Sequence, residues 1–265
     1  MGTLIKGITV AVGIAGVIAL QLPRLAAQTT ERVIDPAAAI EAQALKEEQL
    51  SVLKIAPDFG FSNLIADWTF LEFVQYFGDV PVRAETNYQL SDDFFEVIVA
   101  QDPHFIDVYV FLTAATSFYS AQPETTVKLL AQSLETMGPT LPPNSYLLWR
   151  YKALDELLLL GDSQAAQASF EQAADWAAQS PLPNAAQSAE NSRNTANFLR
   201  QDPDSVQAQV NAWLQVWGNA VSIDIQQLAE SRINALGFEL VLENDGVQVV
   251  PRTSGERLED STTGQ

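Results

Sequence analysis

Cysteine is absent from this 265-residue chain. Its absence excludes disulfides, iron–sulfur clusters, thiolate zinc sites, cysteine nucleophiles and a lipoprotein anchor on cysteine. Histidine is nearly absent too. His104 stands alone, so a histidine-rich metal site is excluded and a histidine triad has no second candidate. It follows Asp102-Pro103 at an expected helix junction, where a capping or surface role fits it. Basic residues are scarce: 14 Lys and Arg face 33 Asp and Glu, a formal charge of −19. Such a surface repels nucleic-acid phosphates and anionic headgroups, attracts basic protein surfaces, and favours solubility. The phosphate-binding loop, the dinucleotide fingerprint and the Gly-x-Ser-x-Gly elbow are all missing. Ser51-Val-Leu-Lys54 matches a Ser-x-x-Lys motif by spacing. It lacks the companion elements and falls in an Ala/Glu-rich helix, so it is a chance match. Asp92 and Asp93 follow Ser91 at a helix start, where negative charge suits the helix dipole. Glu47 and Glu48 lie on an exposed helix face. No cofactor and no metal are expected.

What the chain does have begins with an uncharged run from Ile8 to Leu22. Residues 1–27 read as a transmembrane anchor, lengthened by Leu4 and Ile5 with Lys6 snorkelling, or as a signal segment cleaved near Leu25-Ala26-Ala27. Flanking positive charges nearly balance. The export-signal-like architecture places the rest of the chain on the translocated side, as a tethered domain or, after cleavage, a secreted or periplasmic one.

Residues 28–58 form a linker and a helix. Asp35-Pro36 gives an N-cap and a first-turn proline, and Pro57 stops the helix. From Phe59 the apolar periodicity is helical almost to residue 236. It is broken at Phe77-Gly78-Asp79, Gln122-Pro123, Gly161-Asp162 and Asp202-Pro203. Counting from these turns gives a recurrent pattern. Gly161-Asp162 precedes Ala166, Phe170 and Ala173. Gln122-Pro123 precedes Val127, Ala131, Leu134 and Pro139. Ser91, Phe95 and Ile98 fit ahead of Pro103 if about eight residues are inserted after Gly78. A weaker pair runs from Asn184 to Arg200 and from Ser205 to Val216, with Val206, Val210, Trp213 and Trp217 on one face. Residues 221–250 read as a capping helix, with Ile225, Leu228, Ile233 and Leu236 inward, and a β-hairpin around Asn244-Asp-Gly246. Residues 251–265 read as a polar, disordered tail.

These turns and small-aromatic-small stripes resemble tetratricopeptide repeats over residues 59–220, in degenerate form. The fold class expected is therefore all-α, with stacked helical hairpins, an N-terminal segment and a small C-terminal β-hairpin. Phe59-Gly-Phe-Ser-Asn-Leu-Ile-Ala-Asp-Trp68, Gln75-Tyr-Phe-Gly-Asp79, Leu90-Ser-Asp-Asp-Phe-Phe-Glu-Val-Ile98 and Trp149-Arg-Tyr-Lys-Ala-Leu-Asp-Glu156 look like a membrane-anchored, tetratricopeptide-like family of cyanobacteria. Leu160-Gly-Asp162 and the stretch from Gln207 to Trp217 belong to the same likeness. That resemblance implies a cell with thylakoids and a periplasmic or lumenal setting, and it assigns no activity.

The tetratricopeptide resemblance also implies a groove. With Gly78, Gln122 and Gly161 as register marks, the groove-facing positions are Ile65, Trp68, Glu72 and Gln75, then Tyr109, Leu112, Thr116 and Tyr119, then Leu148, Tyr151, Asp155 and Leu158. A helical wheel independently separates Phe70, Phe73, Val74 and Phe77 from Trp68, Glu72 and Gln75. Trp68 is either groove or, if the helix from Ala37 to Lys54 folds over it, core. Asp67 is expected to be partly buried, with Arg83, Arg150 or Lys152 as partners. A surface of this kind suits a peptide with apolar and basic side chains. The function expected is a non-catalytic, membrane-tethered adaptor for protein partners. A structural or assembly subunit of a membrane complex, and a carboxylate-dependent cell-wall hydrolase, are the alternatives.

Overall fold

A computed structural model of the chain describes residues 34–201, 203–243 and 246–252. The expected N-terminal anchor or signal, and the tail from 253 onward, lie outside the described residues. The described chain is mostly helical, with one two-stranded antiparallel sheet at its C-terminal end.

Helix α1 (Pro36–Ile55) starts as its sequence dictates. Asp35 Oδ1 accepts from the Ala37 amide at 3.0 Å, and proline occupies the first helical turn. A tight turn leads to α2 (Ser62–Gly78), followed by α3 (Val80–Thr86) and α4 (Ser91–Gln101). Helix α3 is the expected insertion after Gly78, and it forms a helix of its own.

The packing of α2 on α4 is aromatic. Phe73 is fully buried, with its ring 4.6 Å from Phe95, 5.5 Å from Phe77 and 5.9 Å from Phe94. Ala66 and Thr69 share its buried face. Helix α1 packs on α3 and α4 through Leu50. Arg83 ties the group together: it donates to Gln43 Oε1 and to the Asn87 carbonyl, each at 3.1 Å, and lies 3.9 Å from the Tyr76 ring centroid.

A 3₁₀ turn (Ile106–Val108) leads into α5 (Tyr109–Leu112), which runs on as a π-helix (Thr113–Tyr119). Helices α6 (Pro123–Leu134), α7 (Tyr146–Leu158), α8 (Ser163–Gln179) and α9 (Ala185–Leu199) follow, each packing on the next. Close approach of α8 to its neighbours is possible because its buried face is largely alanine: Ala166, Ala173, Ala174 and Ala177, with Phe170. The expected inward positions Ser91, Phe95, Ile98, Ala166, Phe170 and Ala173 are all buried. Along α6 Leu134 is buried as expected, and the rest of the stripe is displaced by one residue. Thr126, Leu130 and Ser133 are buried, whereas Val127 and Ala131 are half-buried. Hydroxyl contacts select that face: Thr126 Oγ1 lies 2.8 Å from Ser117 Oγ, and Ser133 Oγ lies 2.6 Å from the Tyr109 hydroxyl.

Helix α10 (Val206–Asn219) departs from the expected pairing with residues 184–200. It packs on α11 (Ile223–Ala235), with Val210, Trp213 and Val216 against Ile225, Ala229 and Ile233, and it also reaches α7 and the π-helix. Its approach is close at Gly161. That residue has φ +69°, the left-handed region that favours glycine, and the Gln209 side chain of α10 lies against it. Strands β1 (Phe238–Glu243) and β2 (Gly246–Pro251) pair from Phe238↔Pro251 to Glu243↔Gly246. The strand therefore takes in Pro251, which the sequence assigned to the tail. Phe238, Leu240 and Val249 lean on the α10–α11 cluster, the support that a lone hairpin needs. Among the described residues no helix is long and apolar enough to cross a membrane.

Phe73→Ala is expected to lower the unfolding free energy by about 3–5 kcal/mol through cavity formation. Trp68→Ala, at a position 61% exposed, is expected to lower it by less than about 1 kcal/mol. Urea unfolding followed by far-ultraviolet circular dichroism compares the two.

Candidate partner-binding site

Because Phe73, Thr69 and Ala66 turn inward, the opposite side of α2 faces solvent at the helical spacing of Leu64, Trp68 and Leu71. Beside it, α1 buries Leu50 and leaves Leu45 and Val52 exposed. Between the two helices runs a groove of about 560 Å³, lined by Leu45, Gln49, Val52 and Leu53 from α1 and by Trp68 and Glu72 from α2. Glu48 stands on its rim. Lys46 Nζ meets Glu72 Oε1 at 3.4 Å and bridges the helices at one end. Past that bridge, Gln75 lines a second hollow of about 270 Å³ with Gln43, Tyr76 and Arg83. Helix α1 thus lies alongside Trp68 without covering it, and the indole is a groove wall. Sixty-one per cent exposure for the largest side-chain type, inside an apolar patch, is the kind of surface that marks an interaction site.

The remaining expected groove positions are placed elsewhere. Tyr109, Leu112, Thr116, Leu148 and Asp155 are buried, so they face no partner. Tyr119 is half-buried, its ring 4.9 Å from both Phe77 and Tyr88. Tyr151 and Leu158 are half-buried against the two main core clusters, and Ile65 is half-buried against the first. The cause is tertiary. Tyr109, Leu112 and Leu148 join the core shared with α2, α4 and α6, while the π-helix and α10 pack onto α7. Two smaller expectations are also corrected. Val74 is 45% exposed instead of core, and Asp67 is exposed. Its proposed partners are engaged otherwise: Arg83 as described, and Lys152 with Glu156 and with Ser169 Oγ at 3.0 Å. Leu45 and Val52 escaped the sequence reading. Their seven-residue spacing, on the flank away from Leu50, was the available signal.

Several polar groups are buried elsewhere in the fold. Ser117 Oγ lies 2.5 Å from Asp155 Oδ2 and 2.8 Å from Thr126 Oγ1. Burial pushes the Asp155 carboxyl up to about 7; the Ser117 bond opposes this and the charge of Glu156 adds to it. With Asp155 protonated, the acid donates to Ser117 and Ser117 donates to Thr126, so every proton in the chain is placed. Asp92 is raised to about 6, by burial first and by Asp93 second. Lys54 meets Asp93 Oδ1 and Glu96 Oε2, each at 2.6 Å, while Ser51 Oγ donates to the Glu48 carbonyl at 2.7 Å. The Ser-x-x-Lys pair is therefore split between separate partners. His104 is exposed, and its Nε2 donates to the Thr136 carbonyl at 3.1 Å. Among the described residues no group of three or more His, Asp or Glu is placed to hold a metal ion.

Comparison with protein-family models, with curated proteins and with solved structures found no match.

The raised Asp155 carboxyl gives a signed pH dependence. Between about pH 4 and pH 7 the folded chain keeps a proton that the unfolded carboxyl, with pKa about 3.9, has released. Its contribution makes stability fall as pH rises through that window and level off above about 7. Asp155→Asn removes this slope. Urea unfolding at pH 5 and pH 8 is expected to show a larger loss toward pH 8 in wild type than in the variant.

Proposed function

We propose that this chain is a non-catalytic, membrane-tethered adaptor that holds a protein segment in the groove between α1 and α2. The observation that carries the reading is the exposed Trp68 between Leu64 and Leu71, facing Leu45 and Val52 across a 560 Å³ groove. The segment that suits it is amphipathic. It needs an apolar ridge for the Trp68 wall and a basic flank for Glu48, and the charge of −19 steers such a segment toward the domain. The tether is the apolar run Ile8–Leu22, and the resemblance to anchored proteins of cyanobacteria is consistent with a domain on the translocated side. A degenerate tetratricopeptide origin is supported by the α7–α8 hairpin around Gly161 and by its buried Ala166, Phe170 and Ala173. In this reading the repeat surface has closed over α10, and partner binding has moved to the α1–α2 edge.

A photo-crosslinking residue in place of Trp68, with a second chain carrying it in place of the distant, exposed Leu141, tests the site in native membranes. A discrete protein adduct is expected from position 68, and its yield is expected to fall roughly tenfold or more when Leu64→Glu is added. Equal, diffuse adducts from both positions would sink the groove assignment.

A further inference from the structure

We infer that the turn joining α1 to α2 is a second membrane contact, one that rests its apolar side chains in the interface of an uncharged bilayer. The inference builds on the tether reading and adds a contact to it. Ile55, Phe59 and Phe61 occupy this apex at 85%, 82% and 63% exposure. No core partner claims these three side chains, yet the turn that presents them is ordered by its own bonds. Phe59 adopts φ +51° and Gly60 φ +86°. The Gly60 amide donates to Asp58 Oδ1 at 2.9 Å and the Phe61 amide to the Asp58 carbonyl at 2.8 Å. A bulky aromatic residue in the left-handed region is strained, so the conformation that points two phenyl rings outward is held against a local cost.

The chemistry of the apex favours lipid over another protein. Its charges are already engaged: Asp58 binds the turn amides, and Lys54 is held by Asp93 and Glu96. That leaves apolar insertion as the attraction, which is not specific to any partner surface. Aromatic and aliphatic side chains together suit the interface of headgroups and acyl chains. The formal charge of −19 selects against anionic lipid and leaves neutral or zwitterionic lipid. The chain itself supplies the proximity. Thirteen residues, Pro23 to Asp35, separate the apolar run from α1, and fully extended they reach about 45 Å. Helix α1 has 20 residues and is about 30 Å long, so the tether is long enough for Pro36 to stand off the bilayer while the apex touches it. The groove at Trp68 lies two helical turns further along α2, clear of the contact.

The absence of cysteine makes the test clean. Phe59→Cys, Phe61→Cys and, as control, Leu141→Cys are each labelled with the fluorophore NBD in the full chain, reconstituted into phosphatidylcholine vesicles. Flotation of the vesicles reports the tether. The apex labels are expected to show blue-shifted emission, iodide quenching reduced by roughly half or more, and strong quenching by doxyl-labelled lipid, unlike the Leu141 label. Floating chains whose apex labels match the Leu141 label would overturn the apex contact and leave the tether standing. Apex labels shielded from both iodide and doxyl lipid would also overturn it, in favour of a protein covering. Chains that fail to float would overturn the tether and the apex contact together.

Discussion

The rotation of α2 about its own axis is the constraint on which the surface of this protein depends. Phe73 sets it. With that ring enclosed by Phe77, Phe94 and Phe95, the helix has one orientation that buries its aromatic face. Every outward residue follows from it at 100° per position. Burying a phenylalanine contributes roughly 2–3 kcal/mol, and edge-to-face ring pairs add about 0.5–1.5 kcal/mol each. Rotating α2 to hide Trp68 would sacrifice several such contacts for one indole. The exposure of Trp68 is therefore a consequence of core packing, and the groove exists because α1 docks on α3 and α4 beside α2 without crossing it.

A second constraint closes the other side of the molecule. Helix α10 comes within contact of Gly161 and lies against α7 and the π-helix. Residues that an open solenoid would show to a ligand are sealed by their own neighbours: Tyr109 in the core shared with α2 and α4, its hydroxyl 2.6 Å from the Pro103 carbonyl, and Asp155 beside Ser117. A carboxylate so placed costs free energy when charged, which is why its proton affinity rises. Short polar side chains (Ser117, Thr126, Ser133, Ser169) bond to Asp155, Tyr109, Glu156 and one another. An elongated stack is thereby replaced by a layered packing that leaves the groove between α1 and α2 open.

Much of this was legible in the sequence where the cause is local. Asp35-Pro36, Pro57 and Gly161-Asp162 mark their boundaries through capping, lost donors and positive φ, all properties of one or two residues. The division of α2 into a Phe73 side and a Trp68 side follows from helix period alone. So do the stripes Ser91-Phe95-Ile98 and Ala166-Phe170-Ala173, and the inward Ile225 and Ile233. The groove residues on α1 were not legible in the same way. Leu45 and Val52 are ordinary apolar residues of an Ala/Glu-rich helix until it is known which neighbour they face.

The sequence by itself determined the chemistry that is excluded, the helical character, the terminal hairpin and the division of α2 into a Phe73 face and a Trp68 face, because each depends on composition or on spacing within one element. Tertiary structure alone decided which face stays open. Whether Tyr109, Leu112 and Leu148 form a groove or a core depends on their joining the cluster around Phe73, Phe94 and Leu130, drawn from helices tens of residues apart in the chain. Contacts over such separations carry no periodic signature. They are selected by which arrangement buries the most apolar surface at once, a property of the whole chain that no local window contains.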